Sequence, residues 1–120
     1  MFTDHELLKL AAKAAGYNFE NGVLKNLGSD FEYDGWNPLT DDGDALRLAV
    51  TLRIDLHTTP INGDAVLVTA KHRMRSDLIR LPNPTQSAEL YQPDPYAATR
   101  RAIVRAAAEI GRQMNKDNIS

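Results

Sequence analysis

The chain has 120 residues, of which 42% are hydrophobic and 25% are charged, and its formal net charge is −2. This composition predicts one soluble globular domain over residues 1–120 and excludes a disordered or membrane protein. The lack of cysteine excludes disulfides, thiolate catalysis and cysteine-ligated metal centres. No apolar run is long enough to span a membrane and no signal-peptide pattern opens the sequence, so a cytoplasmic protein without a membrane partner is expected.

The first part of the chain predicts a helix followed by a β-hairpin. Thr3 and Glu6 have the spacing of a capping box, and Gly16 is well placed to end the helix that they begin. Asn21-Gly22 favours a tight hairpin turn between two short strands. The strands predicted in this part are 17–20, 23–27 and a weaker one at 31–33.

A second hairpin is predicted around Asn62-Gly63. A strict two-residue turn would place Ile54 and Leu56 opposite polar residues of the returning strand. A bulge or a longer loop would instead place them on the face of Val66, which gathers apolar side chains on one side of the sheet. The second register is therefore expected for the two strands, 54–58 and 65–73.

The last part of the chain predicts a proline-rich loop and then a long helix. Residues 82–95 are interpreted as loop with a short edge strand at 88–91. Asp94 is expected to cap a helix that starts at Pro95 and ends near Met114, after which the last six residues are expected to fray. Helices and antiparallel hairpins in this order predict an α+β domain in which about three helices cover a small, mainly antiparallel sheet.

The segment Trp36–Val50, WNPLTDDGDALRLAV, places acidic residues directly before an aliphatic run. Thr40 is the predicted N-cap of a helix, and aspartates are favourable near the positive end of the helix dipole. A calcium loop that starts at Asp41 fails, because Gly43 and Ala45 stand at its third and fifth positions. The acidic cluster is therefore interpreted as a helix start rather than a metal site. The residues predicted to form the buried face of the helix are Ala45, Leu46, Leu48, Ala49, Val50 and Leu52.

Three segments resemble a known family: ELLKLAAKAAG at 6–16, the segment Trp36–Val50, and DPYAATRRAIVRAAAEIG at 94–111. Together and in this order they are similar to the small tailed-phage and prophage proteins of the phage ABA sandwich domain family. The resemblance implies a three-layer α/β/α sandwich and a phage or prophage origin. It implies no activity and carries over no catalytic or ligand-binding residue. Residues 58–92 depart from the family pattern, so a function specific to this chain is sought there.

Two rows of basic side chains are the candidate binding residues: Arg101, Arg105, Arg112 and Lys116 on the final helix, and Lys71, Arg73 and Arg75 on a strand. Helical spacing places the first row opposite the apolar side of its helix, and strand alternation exposes the second row. Such rows track phosphates in nucleic-acid-binding proteins, with aromatic side chains as stacking surfaces. Alternatively, both rows are solvated faces, in which Arg105 pairs with Glu109.

Charge along the chain suggests a homodimer as a further alternative. Residues 28–44 carry acids and no base, whereas residues 96–116 carry mostly bases. The acidic segment of one copy can therefore attract the basic helix of another, unless the two neutralise each other within one molecule. Trp36, at the edge of the acidic segment, suits an interface anchor or else belongs to the core.

The histidines at positions 5, 57 and 72 are the candidate acid–base groups. His72 shares strand parity with Val66 and Val68, which predicts a partly buried side chain, whereas His57 shares the polar face of its strand with Asp55. A site that combines His57 and His72 would require these two faces to coincide, which the expected register disfavours. No catalytic residue, metal ligand or cofactor motif is assigned.

The residues and the resemblance together predict a small phage or prophage accessory protein without enzymatic activity. It is expected to bind a host or phage macromolecule, or a small anionic ligand, through its charged surfaces. A nucleic-acid-binding accessory protein is the first alternative, although the negative net charge disfavours it. A small hydrolase or metal-dependent enzyme that uses His57 or His72 is the second.

Overall fold

The computed structural model describes residues 2–26, 32–63, 65–72 and 85–119. Over these residues the chain forms three helices and six strands, which are α1 (Asp4–Ala14), β1 (Tyr17–Glu20), β2 (Val23–Asn26), β3 (Glu32–Asp34), α2 (Asp42–Leu52), β4 (Ile54–Asn62), β5 (Ala65–His72), β6 (Thr85–Leu90) and α3 (Pro95–Ile119). The predicted α+β class is confirmed. The strands are divided between a first sheet, β1-β2-β3, and a second sheet, β4-β5-β6, both antiparallel.

The start of α1 and the first hairpin form as the sequence predicts. The backbone N–H of Glu6 donates to the Thr3 hydroxyl (3.2 Å), and the backbone N–H of Thr3 donates to the Glu6 carboxylate (2.9 Å), which completes the capping box. Asn21 and Gly22 both have positive φ, 52° and 78°, as a type I′ turn requires. The third strand is displaced by one position from the prediction, and Phe31 lies outside the described residues.

The second sheet has the expected register. Ile54 pairs with His72 and Leu56 with Ala70, and an irregularity between Pro60 and Asn62 shifts the pairing near the turn. Ile54 and Leu56 therefore share a face with the buried residues of β5, because directly paired residues point to the same side of an antiparallel sheet. The edge strand β6 is longer than predicted and begins at Thr85.

The second helix differs from its prediction in two respects. Its N-cap is Asp41 and not Thr40, because Asp41 accepts a hydrogen bond from the backbone N–H of Asp44 (2.8 Å) and Thr40 lies within the preceding turn. Its buried face is narrower than predicted, since Leu46 and Val50 are 62% and 69% exposed. These two residues lie one helical turn apart on a side of α2 that the described residues leave open to solvent.

The final helix lies at the centre of the fold. Asp94 caps it as predicted, accepting from the backbone N–H groups of Tyr96 and Ala97 (both 3.1 Å). The helix continues to Ile119, so its predicted end near Met114 is wrong; no glycine or proline follows to stop it. It contacts α1, α2 and the second sheet, and its buried small and aliphatic residues are Ala102, Ile103, Val104, Ala106, Ala107, Ala108 and Ile110.

The contact between α1 and α3 is close at Gly111. A Cβ atom at this position would lie 2.1 Å from the carbonyl oxygen of Leu10. Only glycine leaves room for the backbone of α1 here, so the sequence at this crossing sets the distance between the two helices.

Candidate functional site

The three predicted arginines of α3, Arg101, Arg105 and Arg112, lie along its exposed side and form what we call the arginine stripe. Their side chains are 42%, 45% and 39% exposed. The opposite side of the helix is buried, as the helical spacing predicts. The side chain of Lys116 lies outside the described part of the structure.

Each arginine of the stripe is paired with a carboxylate of the same molecule. Arg101 contacts Asp4 at the start of α1 (3.2 Å), and Arg105 contacts Glu89 of β6. Arg112 donates from Nε to both carboxylate oxygens of Glu109 (2.8 and 3.0 Å), and this hydrogen bond raises the pKa of Arg112. The predicted Arg105–Glu109 pair is therefore wrong, because β6 brings Glu89 to Arg105 and leaves Glu109 to Arg112.

Two arginines of the stripe, Arg101 and Arg105, line a cleft of about 400 Å³ where α1, α3 and β6 meet. Phe2, Leu7 and Glu89 complete the lining of this arginine cleft, and Phe2 is 41% exposed. The cleft thus combines two guanidinium groups, a carboxylate and an aromatic ring. Such a surface suits a ligand that carries both charge and an apolar group.

Lys71, the described member of the second predicted row, does not join the arginine stripe. Lys71 is exposed on β5, whereas its neighbours Ala70 and His72 are buried on the face that α3 covers. Lys71 therefore points away from α3, on the other face of the second sheet. Arg73 and Arg75 lie outside the described residues.

Trp36 belongs to the core and is 5% exposed. Its ring packs edge-on against Phe19 at a centroid distance of 5.4 Å and against Tyr17 at 6.4 Å. Of the two predicted roles of Trp36, core residue and interface anchor, the first is therefore correct. The buried side chain is not available as an interface anchor. The ring also lines a small cavity of about 130 Å³ together with Tyr33 and Asp44.

The acidic cluster contains a buried carboxylate at Asp44, which is 1% exposed. It accepts hydrogen bonds from the backbone N–H of Asn37 (3.0 Å) and from the guanidinium of Arg47 (3.1 Å). The negative charge of Asp44, followed by burial and a hydrogen bond to the same carboxylate, raises the pKa of Tyr33. Asp44 therefore holds the loop before α2 against the helix. Among the residues that the structure describes, no group of three or more His, Asp or Glu side chains is placed to hold a metal ion.

The acidic segment and the basic helix meet within one molecule. Arg100 donates from Nε to the carbonyl oxygen of Leu39 (2.8 Å) and contacts Asp42 at the start of α2 (2.6 Å). The ion pair between Arg100 and Asp42 thus satisfies, within one molecule, two of the charges that a dimer between these segments would need. This contact therefore agrees with the alternative in which the acidic segment and the basic helix neutralise each other within one molecule.

His57 and His72 lie on opposite faces of the second sheet. His57 pairs with Thr69 and is exposed, whereas His72 pairs with Ile54 and is 6% exposed on the face that α3 covers. The two side chains therefore share no site. Burial lowers the pKa of His72 below its usual value of about 6.5.

The lowered pKa of His72 predicts a loss of stability in mild acid. The unfolded chain takes up a proton near pH 6.5, while the folded chain keeps His72 neutral to lower pH. The stability that neutral His72 contributes is fully present above about pH 6.5 and is lost as the pH falls through the lowered pKa of the folded state. His72→Leu should therefore reduce the dependence of the unfolding free energy on pH below about 6.5, as measured by urea denaturation at several pH values. The exposed His57→Leu is the matched control, and an equal change in both variants would contradict the assignment to His72.

An apolar groove of about 460 Å³ lies between α2, β4 and the start of α3. Its lining includes Leu46, Leu56 and Tyr96, which are 62%, 42% and 71% exposed, with Arg100 and Asp42 at its rim. The sequence prediction missed this groove, because it assigned Leu46 to the buried face of its helix. Periodicity identifies an apolar side, but it does not show whether another element covers that side.

Comparison of the chain with protein-family models, curated proteins and solved structures finds no match. Of the helices in the described ranges, none combines the length and the apolar character needed to cross a bilayer.

Proposed function

We propose that the chain is a small, non-enzymatic accessory protein of a phage or prophage that acts in the host cytoplasm. In this proposal the arginine cleft binds a host or phage protein. The observation that carries the proposal is the position of Arg101 and Arg105 around one cleft, beside the partly exposed ring of Phe2. The sequence resemblance supports the phage or prophage origin.

The mixed charge of the cleft favours a protein partner over a nucleic acid. A phosphate that approaches Arg101 or Arg105 also meets the carboxylates of Asp4 and Glu89, which repel it. Lys71 cannot extend the surface, because it lies on the other face of the second sheet. A protein surface that carries both charge signs and an apolar side chain is complementary to this arrangement.

The existing ion pair at Arg101 does not prevent binding. The side chains of Arg101 and Asp4 are 42% and 66% exposed, and exposed pairs of this kind contribute at most about 1 kcal/mol. A carboxylate of the partner can therefore replace Asp4 with little loss. Phe2 supplies apolar area next to the Arg101–Asp4 pair, and aromatic residues, phenylalanine included, are enriched in protein interfaces.

The test compares the capture of proteins from bacterial lysate by the tagged chain and by variants of the cleft. Arg101→Glu combined with Arg105→Glu should reduce recovery of the partner by about tenfold or more, because it reverses both charges. Phe2→Ala should weaken binding without changing charge. Partners are identified by mass spectrometry with and without nuclease treatment, and circular dichroism checks that each variant folds.

Arg112→Glu is the matched control, since Arg112 lies on the same stripe but outside the cleft. It should retain a nuclease-resistant partner. Recovery of nucleic acid alone, lost on nuclease treatment, would support the first alternative instead. Equal recovery by the cleft variants and the control would show that the partner binds elsewhere.

A further inference from the structure

The exposed side of α2 carries a self-complementary series of side chains, Asp42, Leu46, Val50 and Arg53, which we call the α2 stripe. Leu46 and Val50 are 62% and 69% exposed, the side chain of Asp42 is 68% exposed, and Arg53 is also exposed. We propose that two copies of the chain associate about a two-fold axis through this stripe. This interface does not include the arginine cleft, so the proposed accessory protein would bind its partner as a dimer.

The apolar centre of the stripe is suited to a symmetric contact. Two copies of α2 that run antiparallel, with the axis midway between Leu46 and Val50, place Leu46 of each against Val50 of the partner subunit. Each copy then contributes the same surface, as a closed two-fold dimer requires. The contact removes from water two aliphatic side chains per copy that the described part of the chain leaves exposed.

The charged ends of the stripe select the antiparallel arrangement. Asp42 begins α2, and Arg53 follows its last turn. An antiparallel pair brings each Asp42 near Arg53 of the partner subunit, whereas a parallel pair would bring like charges together. The contact between Asp42 and Arg100 leaves most of the Asp42 side chain exposed, so its carboxylate can accept a second cation.

The apolar groove extends the same surface beyond α2. Leu46 forms one wall of the groove, and Leu56 and Tyr96 line it as well. A partner helix that lies along α2 therefore also covers part of this groove. A second copy fits this surface better than an unrelated partner, because in an antiparallel pair every residue of the stripe faces a complementary one. Leu46 faces Val50 of the partner subunit, and Asp42 faces Arg53 of the partner subunit.

The first test is the molar mass of the chain in solution, measured by sedimentation equilibrium over a range of concentrations. The chain has a mass of 13.3 kDa, and the wild type should approach twice this value as concentration rises. Val50→Glu should remain monomeric at concentrations at which the wild type is dimeric, because it buries an unpaired charge at the axis. Val50 is 69% exposed in the single chain, so the variant should match the melting temperature of the wild type at a concentration at which the wild type is monomeric.

The second test uses charge reversal and mixing. Asp42→Lys alone and Arg53→Asp alone should each weaken the dimer by about tenfold or more, since each places like charges together at both ends. An equimolar mixture of the two variants should recover the dimer, because each lysine then meets an aspartate of the other variant. Aspartate is chosen at position 53 because Arg53 has φ +55°, a conformation that aspartate tolerates better than most residues.

The outcomes separate this interface from the arginine cleft. The double variant Arg101→Glu with Arg105→Glu should remain dimeric, whatever its effect on capture of a partner. A wild type that stays monomeric at every concentration would overturn the proposal. A dimer that persists in Val50→Glu, or a variant mixture that stays monomeric, would overturn it as well.

Discussion

Replacement of Gly111 with alanine is expected to lower the free energy of unfolding by about 2–3 kcal/mol. The added Cβ would lie 2.1 Å from the carbonyl oxygen of Leu10 and 2.8 Å from its carbonyl carbon. Both atoms belong to the backbone of α1, so no change of side-chain rotamer relieves the clash. The methyl group therefore forces α1 away from α3 and loosens the buried contact between them. Urea denaturation of the wild type and the variant measures the effect.

Gly43→Ala is the matched control, because Gly43 also lies inside a helix. A Cβ there would be 3.2 Å from the ends of the Arg47 and Asp41 side chains. Arg47 is largely exposed and can move, while alanine gains up to about 1 kcal/mol of helix propensity over glycine. The Asp41 carboxylate also caps α2 and must shift slightly, so the same chemical change should cost far less in α2 than in α3. Similar losses at both positions would show that the close approach at Gly111 is not the cause.

Replacement of Asp44 with alanine is expected to lower the free energy of unfolding by about 3 kcal/mol. The buried carboxylate accepts from the backbone N–H of Asn37 and from Arg47, and its removal leaves the Asn37 donor without this partner in the interior. The loop before α2 then loses the group that holds it to the helix. Thermal and chemical denaturation measure the loss. Arg47→Ala is the comparison: it removes one donor to the buried carboxylate but keeps the hydrogen bond from the backbone N–H of Asn37, so it should cost less than Asp44→Ala.

Asp44→Asn provides a readout that a general loss of packing would not produce. The charge of Asp44 raises the pKa of Tyr33, so a neutral side chain of the same shape should return that pKa toward about 10. An ultraviolet titration of the tyrosines detects the change. In the wild type, the raised pKa of Tyr33 contributes stability below about pH 10 that is lost as the pH rises through it. An unchanged titration in the variant would contradict the assignment.

Sequence signals that act over a few residues predicted the local structure well. Thr3 with Glu6 defined the start of α1, and Asn21-Gly22 defined the first hairpin, because each signal satisfies backbone groups within its own turn. The register of the second hairpin followed from a wider rule, which is that Ile54 and Leu56 belong with the apolar side chains of β5. These features depend little on the rest of the fold.

The candidate sites depend on contacts between distant segments, and the sequence did not determine them. Leu46 and Val50 have the spacing of a buried helix face, yet nothing in the described chain covers them. Arg105 has an acid one turn away in sequence, yet its partner is Glu89 of β6. In both cases the exposure or the ion-pair partner of a side chain depends on which helix or strand packs beside it. The periodicity of the sequence does not show which element that is.

The contact of α1 with α3 also determines when the protein can fold during synthesis. Leu7, Leu8 and Ala11 of α1 emerge from the ribosome early, whereas the surface of α3 that α1 contacts emerges much later. The intervening chain can form its hairpins in the meantime, whereas contacts between segments so far apart in sequence form more slowly. A nascent chain that ends before Gly111 can pack α1 on β1 but leaves the face of α1 that contacts α3 exposed, and exposed apolar surface of this kind is prone to aggregation.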